Sequence, residues 1–130
     1  MIGYSLVGSN DLEKAAQFYD QVFAAAGAPR GLTVPERMMT WGRIWQEPHF
    51  GVVRPYDQQP ATAGNGTMTA LKASRRAEVD AMHAAALAAG GQDEGAPGVR
   101  GPGPDGFYGA YFRDLDGNKI CVFIYGPAEA

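Results

Sequence analysis

Two stretches of this chain, 64 residues apart, show the same order of local signals, and this repeat constrains the fold most strongly. A short apolar segment at 2–7 precedes a helical pattern that stops at Gly27. A similar segment at 67–72 precedes a helical pattern that stops at Gly91. Because a glycine often ends a helix, the two stretches predict two copies of one folding unit. At this offset the apolar positions of the helices match as Ala15 with Val79, Phe18 with Met82 and Phe23 with Leu87.

Each predicted helix begins at a polar residue that is typical of a helix start. Asn10 is followed three residues later by Glu13, which is the spacing of a capping box. The first helix is expected to run to about residue 26. Ser74 is the predicted cap of the second helix, which is expected to run to about residue 89.

Shorter apolar patterns follow both helices and predict strands. Residues 33–54 are predicted to form two or three strands, with turns at Gly42 and at 47–48. Trp41, Ile44 and Trp45 belong to this pattern. Residues 107–113 and 119–125 are predicted to pair across the glycine-containing turn 114–118.

The predicted fold class is therefore α+β. Two βαβββ modules, at about 1–60 and about 66–126, are expected to form a curved mixed sheet within one domain, 1–130. The helices would cover the outer face, and the opposite face would line a cleft. Concave and partly apolar clefts are where small ligands bind.

Composition excludes several classes of function. A chain of 130 residues that is 45% hydrophobic can bury one core without a disulfide, and its lone cysteine, Cys121, has no partner in the chain. Eleven Lys and Arg residues against fourteen Asp and Glu residues give a net charge of −3 without a basic block, so no nucleic-acid partner is expected. No membrane association is expected either, because no apolar run approaches the roughly 20 residues that span a bilayer. The first residues lack a basic signal-peptide start, and we expect a cytoplasmic protein.

Four segments of the sequence resemble those of a known superfamily. The chain is similar to the vicinal oxygen chelate superfamily, which includes glyoxalase I, fosfomycin-resistance and bleomycin-resistance proteins and extradiol dioxygenases. The resemblance covers nearly the whole chain and implies a homodimer. Its carriers are SNDLEKAAQFY at 9–19, AGNGTM at 63–68, LAAGG at 87–91 and YGAYFRDLDGN at 108–118.

The resemblance also implies where a metal ion would bind. Metal-dependent members hold a divalent cation with two histidines and a glutamate, and these positions fall on Tyr4, Met68 and Cys121. A phenol, a thioether and a thiol are a poor donor set for Mg²⁺ or Mn²⁺, although soft Cu(I) would tolerate two of them. We therefore expect no metal ion and no cofactor at this position.

Three residues of the expected cleft are candidate catalytic groups. Tyr4 has a hydroxyl that could orient a ligand, or it could simply fill the space of the metal ion. His49 could act as a general base or acid, or it could be a strand-end histidine bonded to water or backbone. Cys121 could be a nucleophile beside His49, although a buried and inert cysteine is the more common case.

Strand alternation extends the expected cleft to neighbouring positions. If Tyr111 pairs with Cys121, then Tyr111 and Phe107 face the cleft, whereas the alternative register turns Tyr108 inward. Gly51 is the first-module equivalent of Cys121 and should share the face of His49. Aromatic residues are frequent here, at Trp41, Trp45, Phe107, Tyr108 and Tyr111. The predicted ligand-binding cleft comprises Tyr4, Trp41, His49, Gly51, Met68, Arg100, Phe107, Tyr111 and Cys121.

Residues 91–106 contain six glycines and three prolines and are predicted to form a long loop. Such a loop could act as a lid over the cleft. Arg100 within it could offer its guanidinium fork to a carboxylate or phosphate, or it could simply be solvated.

Three functions are compatible with these features. The first is a protein that binds a small, partly aromatic or apolar molecule in its cleft without a metal ion. The alternative is an enzyme, either a glyoxalase-like lyase or isomerase or a dioxygenase, which uses a metal ion or acid–base chemistry of Tyr4, His49 and Cys121. A third is a partner module that associates through its strand edges.

Overall fold

The computed structural model describes residues 1–43 and 46–129 and shows two βαβββ modules. The first consists of β1 (Tyr4–Gly8), α1 (Leu12–Ala24), β2 (Arg30–Val34), β3 (Met38–Trp41) and β4 (His49–Val53). The second consists of β5 (Met68–Lys72), α2 (Arg76–Ala88), β6 (Gln92–Arg100), β7 (Phe107–Arg113) and β8 (Lys119–Tyr125). The predicted α+β class is confirmed.

The two modules build sheets with the same strand order. The strand orders are β1-β4-β3-β2 and β5-β8-β7-β6. In each sheet the first strand of the module pairs in parallel with the last, and the other pairs are antiparallel. The sheets approach each other where Ser5 Oγ lies 3.3 Å from Thr69 Oγ1. These two residues are 64 positions apart, which is the offset of the sequence repeat.

Helix α1 begins one residue later than the capping-box spacing predicts. Its N-cap is Asp11, whose carboxylate accepts a hydrogen bond from the backbone N–H of Lys14. Asn10 instead exchanges two hydrogen bonds with the backbone of Ala61. An amide side chain carries both a donor and an acceptor, so it can pair with a peptide group as a carboxylate cannot.

Helix α2 also begins later than predicted. Its N-cap is Arg75, and Ser74 lies outside the helix. The backbone N–H and the hydroxyl of Ser74 both donate to Glu78 Oε2, at 2.6 and 3.0 Å. The reciprocal half of a capping box is thus present, displaced by one residue from the N-cap.

The first module contains three strands between residues 30 and 53, with an additional turn at 35–37. Ile44 and Trp45, which the sequence analysis assigned to this region, lie outside the described residues.

The predicted long loop at 91–106 is wrong for most of its length. Residues Gln92–Arg100 form β6, an edge strand paired with β7, and only 101–106 form a turn. The ladder shifts register around Gly95 and again before Gly98. Bulges of this kind accommodate glycine, and an edge strand tolerates Pro97, so a bulged edge strand reads as a loop in sequence.

Both modules contribute to one hydrophobic core. Helix α1 packs against α2. Phe18 of α1 contacts Phe112 of β7 in the other module, with ring centroids 6.0 Å apart. Tyr19 lies beside Trp41 and Phe50 of its own module. The two sheets therefore pack against the same pair of helices and share one hydrophobic core.

A buried polar network joins the modules at the end of β7. The Tyr19 hydroxyl donates to Asp114 Oδ2 across the module boundary at 2.6 Å. The same carboxylate accepts hydrogen bonds from Asp116 N, Asn118 N and Asn118 Nδ2. Asn118 Nδ2 also donates to the carbonyl of Gly8. Burial, and next the adjacent Asp114 carboxylate, raise the pKa of Tyr19 well above its usual value.

A second polar contact connects α2 with the edge strand. Nε2 of the buried His83 lies 3.1 Å from Asp93 Oδ1, which also accepts a hydrogen bond from the backbone N–H of Gly95. The Gly95 N–H, and next His83, hold the pKa of Asp93 below its usual value.

We expect Tyr19→Phe to lower the free energy of unfolding by about 2 kcal/mol, because a buried hydrogen bond to a carboxylate is lost. Tyr108→Phe is the matched control, since it removes a bond of the same length, 2.6 Å, to the exposed Asp80. The control should cost less than about 1 kcal/mol. Urea unfolding measures both, and equal losses would contradict a special role of the buried network.

The stability contribution of Asp93 should depend on pH. A carboxyl whose folded pKa is depressed contributes stability that is present above its unfolded pKa of about 4 and is lost as the pH falls through the folded value. Asp93→Asn should therefore cost stability at pH 7 and much less near pH 2. Urea unfolding at both pH values tests this, and a cost that does not change with pH would refute it.

Candidate functional site

Strand alternation gives each sheet a face against the helices and an opposite face, here called the open face. Residues paired across a ladder point to the same side of the sheet. Tyr4 pairs with His49, and Tyr111 pairs with Cys121, as the favoured hairpin register predicted. In the first module the open face includes Tyr4, Leu6, Thr40, His49 and Gly51. In the second it includes Met68, Ala70, Lys72, Arg100, Phe107, Gly109, Tyr111, Arg113, Lys119, Cys121, Phe123 and Tyr125.

The open face contains eight of the nine predicted cleft residues, and Trp41 is the exception. Trp41 is buried on the helix face, where its ring stacks on Phe23 with centroids 5.6 Å apart. Its Nε1 donates to Asp20 Oδ1 at 2.9 Å. It pairs with the core residue Phe50, so alternation directs it inward. Its assignment to the cleft was therefore wrong.

The alternative register for Tyr108 is also wrong. Tyr108 lies on the helix face, where its hydroxyl donates to Asp80 of α2. The guanidinium of Arg76 lies 4.8 Å from the centroid of the Tyr108 ring.

In the first module, Tyr4 and His49 form an aromatic pair. Their ring centroids are 5.3 Å apart, and the ring planes differ by 24°. Tyr4 is 54% exposed, and His49 is partly buried. Two groups able to hydrogen-bond and to transfer protons thus stand side by side at the end of the sheet.

Gly51 provides close packing rather than a functional group. A Cβ atom at this position would lie 2.7 Å from the carbonyl oxygen of Met39 and 2.7 Å from Thr40 Cγ2. The first module therefore has no room for a ligand-binding side chain at the position that corresponds to Cys121.

Cys121 is almost completely buried, with 1% of its surface exposed. Burial raises the pKa of its thiol, while a hydrogen bond with Tyr111 and the charges of Arg100 and Lys119 act in the opposite direction. Burial, and next the neighbouring Cys121, also raise the pKa of Tyr111. An inaccessible thiol with a raised pKa is a poor nucleophile, and this geometry does not favour a catalytic cysteine.

The donor set at the superfamily's metal position does not suit a hard divalent cation. Tyr4, Met68 and Cys121 lie on β1, β5 and β8, and they supply a phenol, a thioether and a buried thiol. Mg²⁺ and Mn²⁺ prefer oxygen and imidazole ligands. Within 1–43 and 46–129, no group of three His, Cys, Asp or Glu side chains could hold a metal ion.

Sequence reasoning did not assign Lys119 and Phe123 to the expected cleft, although both lie on the second module's open face. Lys119 and Phe123 are two positions before and after Cys121, so alternation alone would have found them. Phe123 stacks on Phe107, with centroids 5.2 Å apart and planes 6° apart. Lys119 lies beside Tyr111, with Nζ 5.6 Å from the ring centroid.

A depression of about 700 Å³ opens at the Lys119 end of this face. Met68, Lys119 and Arg113 line it, together with the loop 63–67. A second depression, of about 610 Å³, lies near Arg37 and Tyr56 and contains none of the predicted cleft residues.

The predicted lid does not exist as such, but Arg100 still belongs to the open face. It ends β6, and its guanidinium donates to the carbonyls of Gly98 and Ala96. Its Cζ lies 5.6 Å from the centroid of the Tyr111 ring.

No helix in the described chain is long and apolar enough to span a membrane.

Comparisons with known proteins agree with this architecture. A family model, the Glyoxalase/Bleomycin resistance protein/Dioxygenase superfamily, matches residues 2–122. No protein of the curated set matches.

Several solved structures are similar over nearly their whole length. A glyoxalase/bleomycin resistance protein from Albidiferax ferrireducens T118 is 37% identical with a TM-score of 0.84, covering 95% of this chain and 97% of that chain. A hypothetical protein from S. aureus is 28% identical with a TM-score of 0.68, covering 93% and 91%. A lactoylglutathione lyase from Agrobacterium tumefaciens, 23% identical with a TM-score of 0.62 and coverage of 95% and 92%, shares the fold.

The burial of Cys121 predicts an unreactive thiol. At pH 7, Ellman's reagent should modify the folded protein at least about 100-fold more slowly than the urea-unfolded protein, because both exposure and thiolate fraction are low. The reaction is followed by the absorbance of the thiolate that the reagent releases, at ~412 nm. Rapid modification of the folded protein would revive the nucleophile hypothesis.

Proposed function

Because the chain belongs to the Glyoxalase/Bleomycin resistance protein/Dioxygenase superfamily, we propose that it binds a small, partly aromatic or apolar molecule on its open face without a metal ion. One observation carries this proposal. Aromatic side chains of both modules lie on the open face, while the superfamily's metal positions hold the donor set of Tyr4, Met68 and Cys121.

The aromatic surface of the second module supports an apolar ligand. Phe107 and Phe123 stack with nearly parallel rings and remain partly exposed. Tyr125, which pairs with Phe107, is 74% exposed. When a planar or apolar molecule displaces water from this surface, the free energy of the complex is lowered.

We further propose a cytoplasmic homodimer with no nucleic-acid or membrane partner. Large exposed apolar side chains, Ile2 (70%) and Met68 (45%) among them, support contact with a second copy of the chain. The single buried cysteine suits a reducing compartment.

Proton-transfer catalysis is a second candidate function, favoured by the contact between Tyr4 and His49. The ring centroids of this phenol and imidazole are 5.3 Å apart, so the two groups could donate and accept protons at one bound substrate. This would suit a lyase reaction, the class named for the Agrobacterium structure, or an isomerase reaction. Tyr4→Phe would then abolish turnover while leaving ligand affinity nearly intact.

A thermal-shift screen of aromatic and heteroaromatic compounds tests the binding proposal. A ligand present at about 100 times its Kd should add about 2.7 kcal/mol and raise Tm by at least ~5 °C. EDTA should leave this shift unchanged. Phe123→Ala should reduce it, whereas Tyr56→Ala, which removes an exposed aromatic ring away from the open face, should not.

Two results would overturn the proposal. One is a screen without any binder. The other is stoichiometric Mn, Fe, Ni or Zn in the purified protein, by elemental analysis, together with a ligand-induced shift that disappears in EDTA.

A further inference from the structure

We infer that the ligand carries an anionic group, such as a carboxylate, sulfonate or phosphate, which Lys119 and Arg100 hold on the open face of the second module. This inference rests on the function proposed above. It adds the chemical class of the ligand and the residues that select it.

The two cations come from different strands and meet at one aromatic ring. Arg100 ends β6, Lys119 begins β8, and Tyr111 lies on β7 between these strands. The Lys119 ammonium and the Arg100 guanidinium are each 5.6 Å from the centroid of the Tyr111 ring. The two charged groups are therefore no more than about twice this distance apart, a span that one aromatic molecule lying across β7 can bridge.

Neither charge is neutralised by a carboxylate in the described part of the chain. Nearby Arg113, by contrast, forms an ion pair with Glu94 at 2.7 Å. Arg100 donates only to carbonyl oxygens, which orient its guanidinium without cancelling its charge. Two uncompensated cations near each other repel, and in a protein of net charge −3 this concentrates positive potential at one place. A bound anion would relieve the repulsion and gain charge-assisted hydrogen bonds.

The surroundings of the two cations define the rest of the ligand. Phe107, the register partner of Arg100, stacks on Phe123 of β8. The cationic residues thus border an apolar aromatic surface. This combination fits a molecule with an aromatic body and one anionic substituent, and it disfavours a cationic ligand.

Two fluorescent dyes with the same ring system provide a direct test. 8-Anilinonaphthalene-1-sulfonate carries a sulfonate, and N-phenyl-1-naphthylamine lacks it. Lys119→Met should raise the Kd of the sulfonate dye about fivefold and weaken its salt dependence, because one cation is removed. The same variant should leave the Kd of the neutral dye unchanged.

Control variants separate a local role from an effect of total charge. Lys14→Met removes an equivalent charge from the exposed side of α1 and should change neither Kd. Lys119→Arg keeps the charge and should retain affinity for the sulfonate dye. Arg100→Met should act like Lys119→Met, and Phe107→Ala should weaken both dyes because it removes the shared apolar surface.

The outcomes distinguish the two proposals. If both dyes bind, and Lys119→Met affects them equally or no more than Lys14→Met does, the anion inference is wrong while the binding function stands. If neither dye binds saturably to the folded protein, the proposed function fails and the inference fails with it.

Discussion

The buried carboxylate of Asp114 is the interaction on which the arrangement of the two modules depends. It accepts the Tyr19 hydroxyl from the first module and three N–H groups from its own turn. A buried charge is tolerated only when its oxygens are fully hydrogen-bonded, so this network fixes the β7–β8 turn against α1. Asn118, held by the same carboxylate, extends the link to Gly8 at the end of β1. Loss of any partner therefore affects both modules.

This junction packs the helices against one face of each sheet and leaves the other face open. Because the cores of the modules merge, every residue directed toward the helices is committed to packing, as Trp41 and Phe112 show. Function is then confined to the alternate positions of the strands. On these positions the first module offers the Tyr4–His49 pair, and the second offers an aromatic surface beside Lys119 and Arg100.

The open face also shows how a repeated fold can lose symmetry in its chemistry. Gly51 and Cys121 occupy equivalent positions, and the first is too crowded to carry a side chain while the second is a buried thiol. Tyr4 and Met68 are likewise equivalent and chemically unrelated. The backbone pattern is kept in both modules because it determines the core, whereas the open-face residues lie outside this core and can differ in chemistry.

The sequence alone determined the repeat, the α+β class and the strands at 107–113 and 119–125, because periodicity and turn chemistry are local. It left two registers open for the pairing of these strands, and the structure shows the one that pairs Tyr111 with Cys121. Sequence reasoning misassigned β6 because the bulges at Gly95 and Gly98 resemble a loop. It also placed Trp41 on the wrong face, because the register of β3 depends on its partner strand. Only the tertiary structure decided that Arg100 and Lys119 meet at Tyr111, and that Tyr19 bonds to Asp114, 95 positions away. Contacts between distant segments depend on how sheets and helices pack, and no local pattern encodes them.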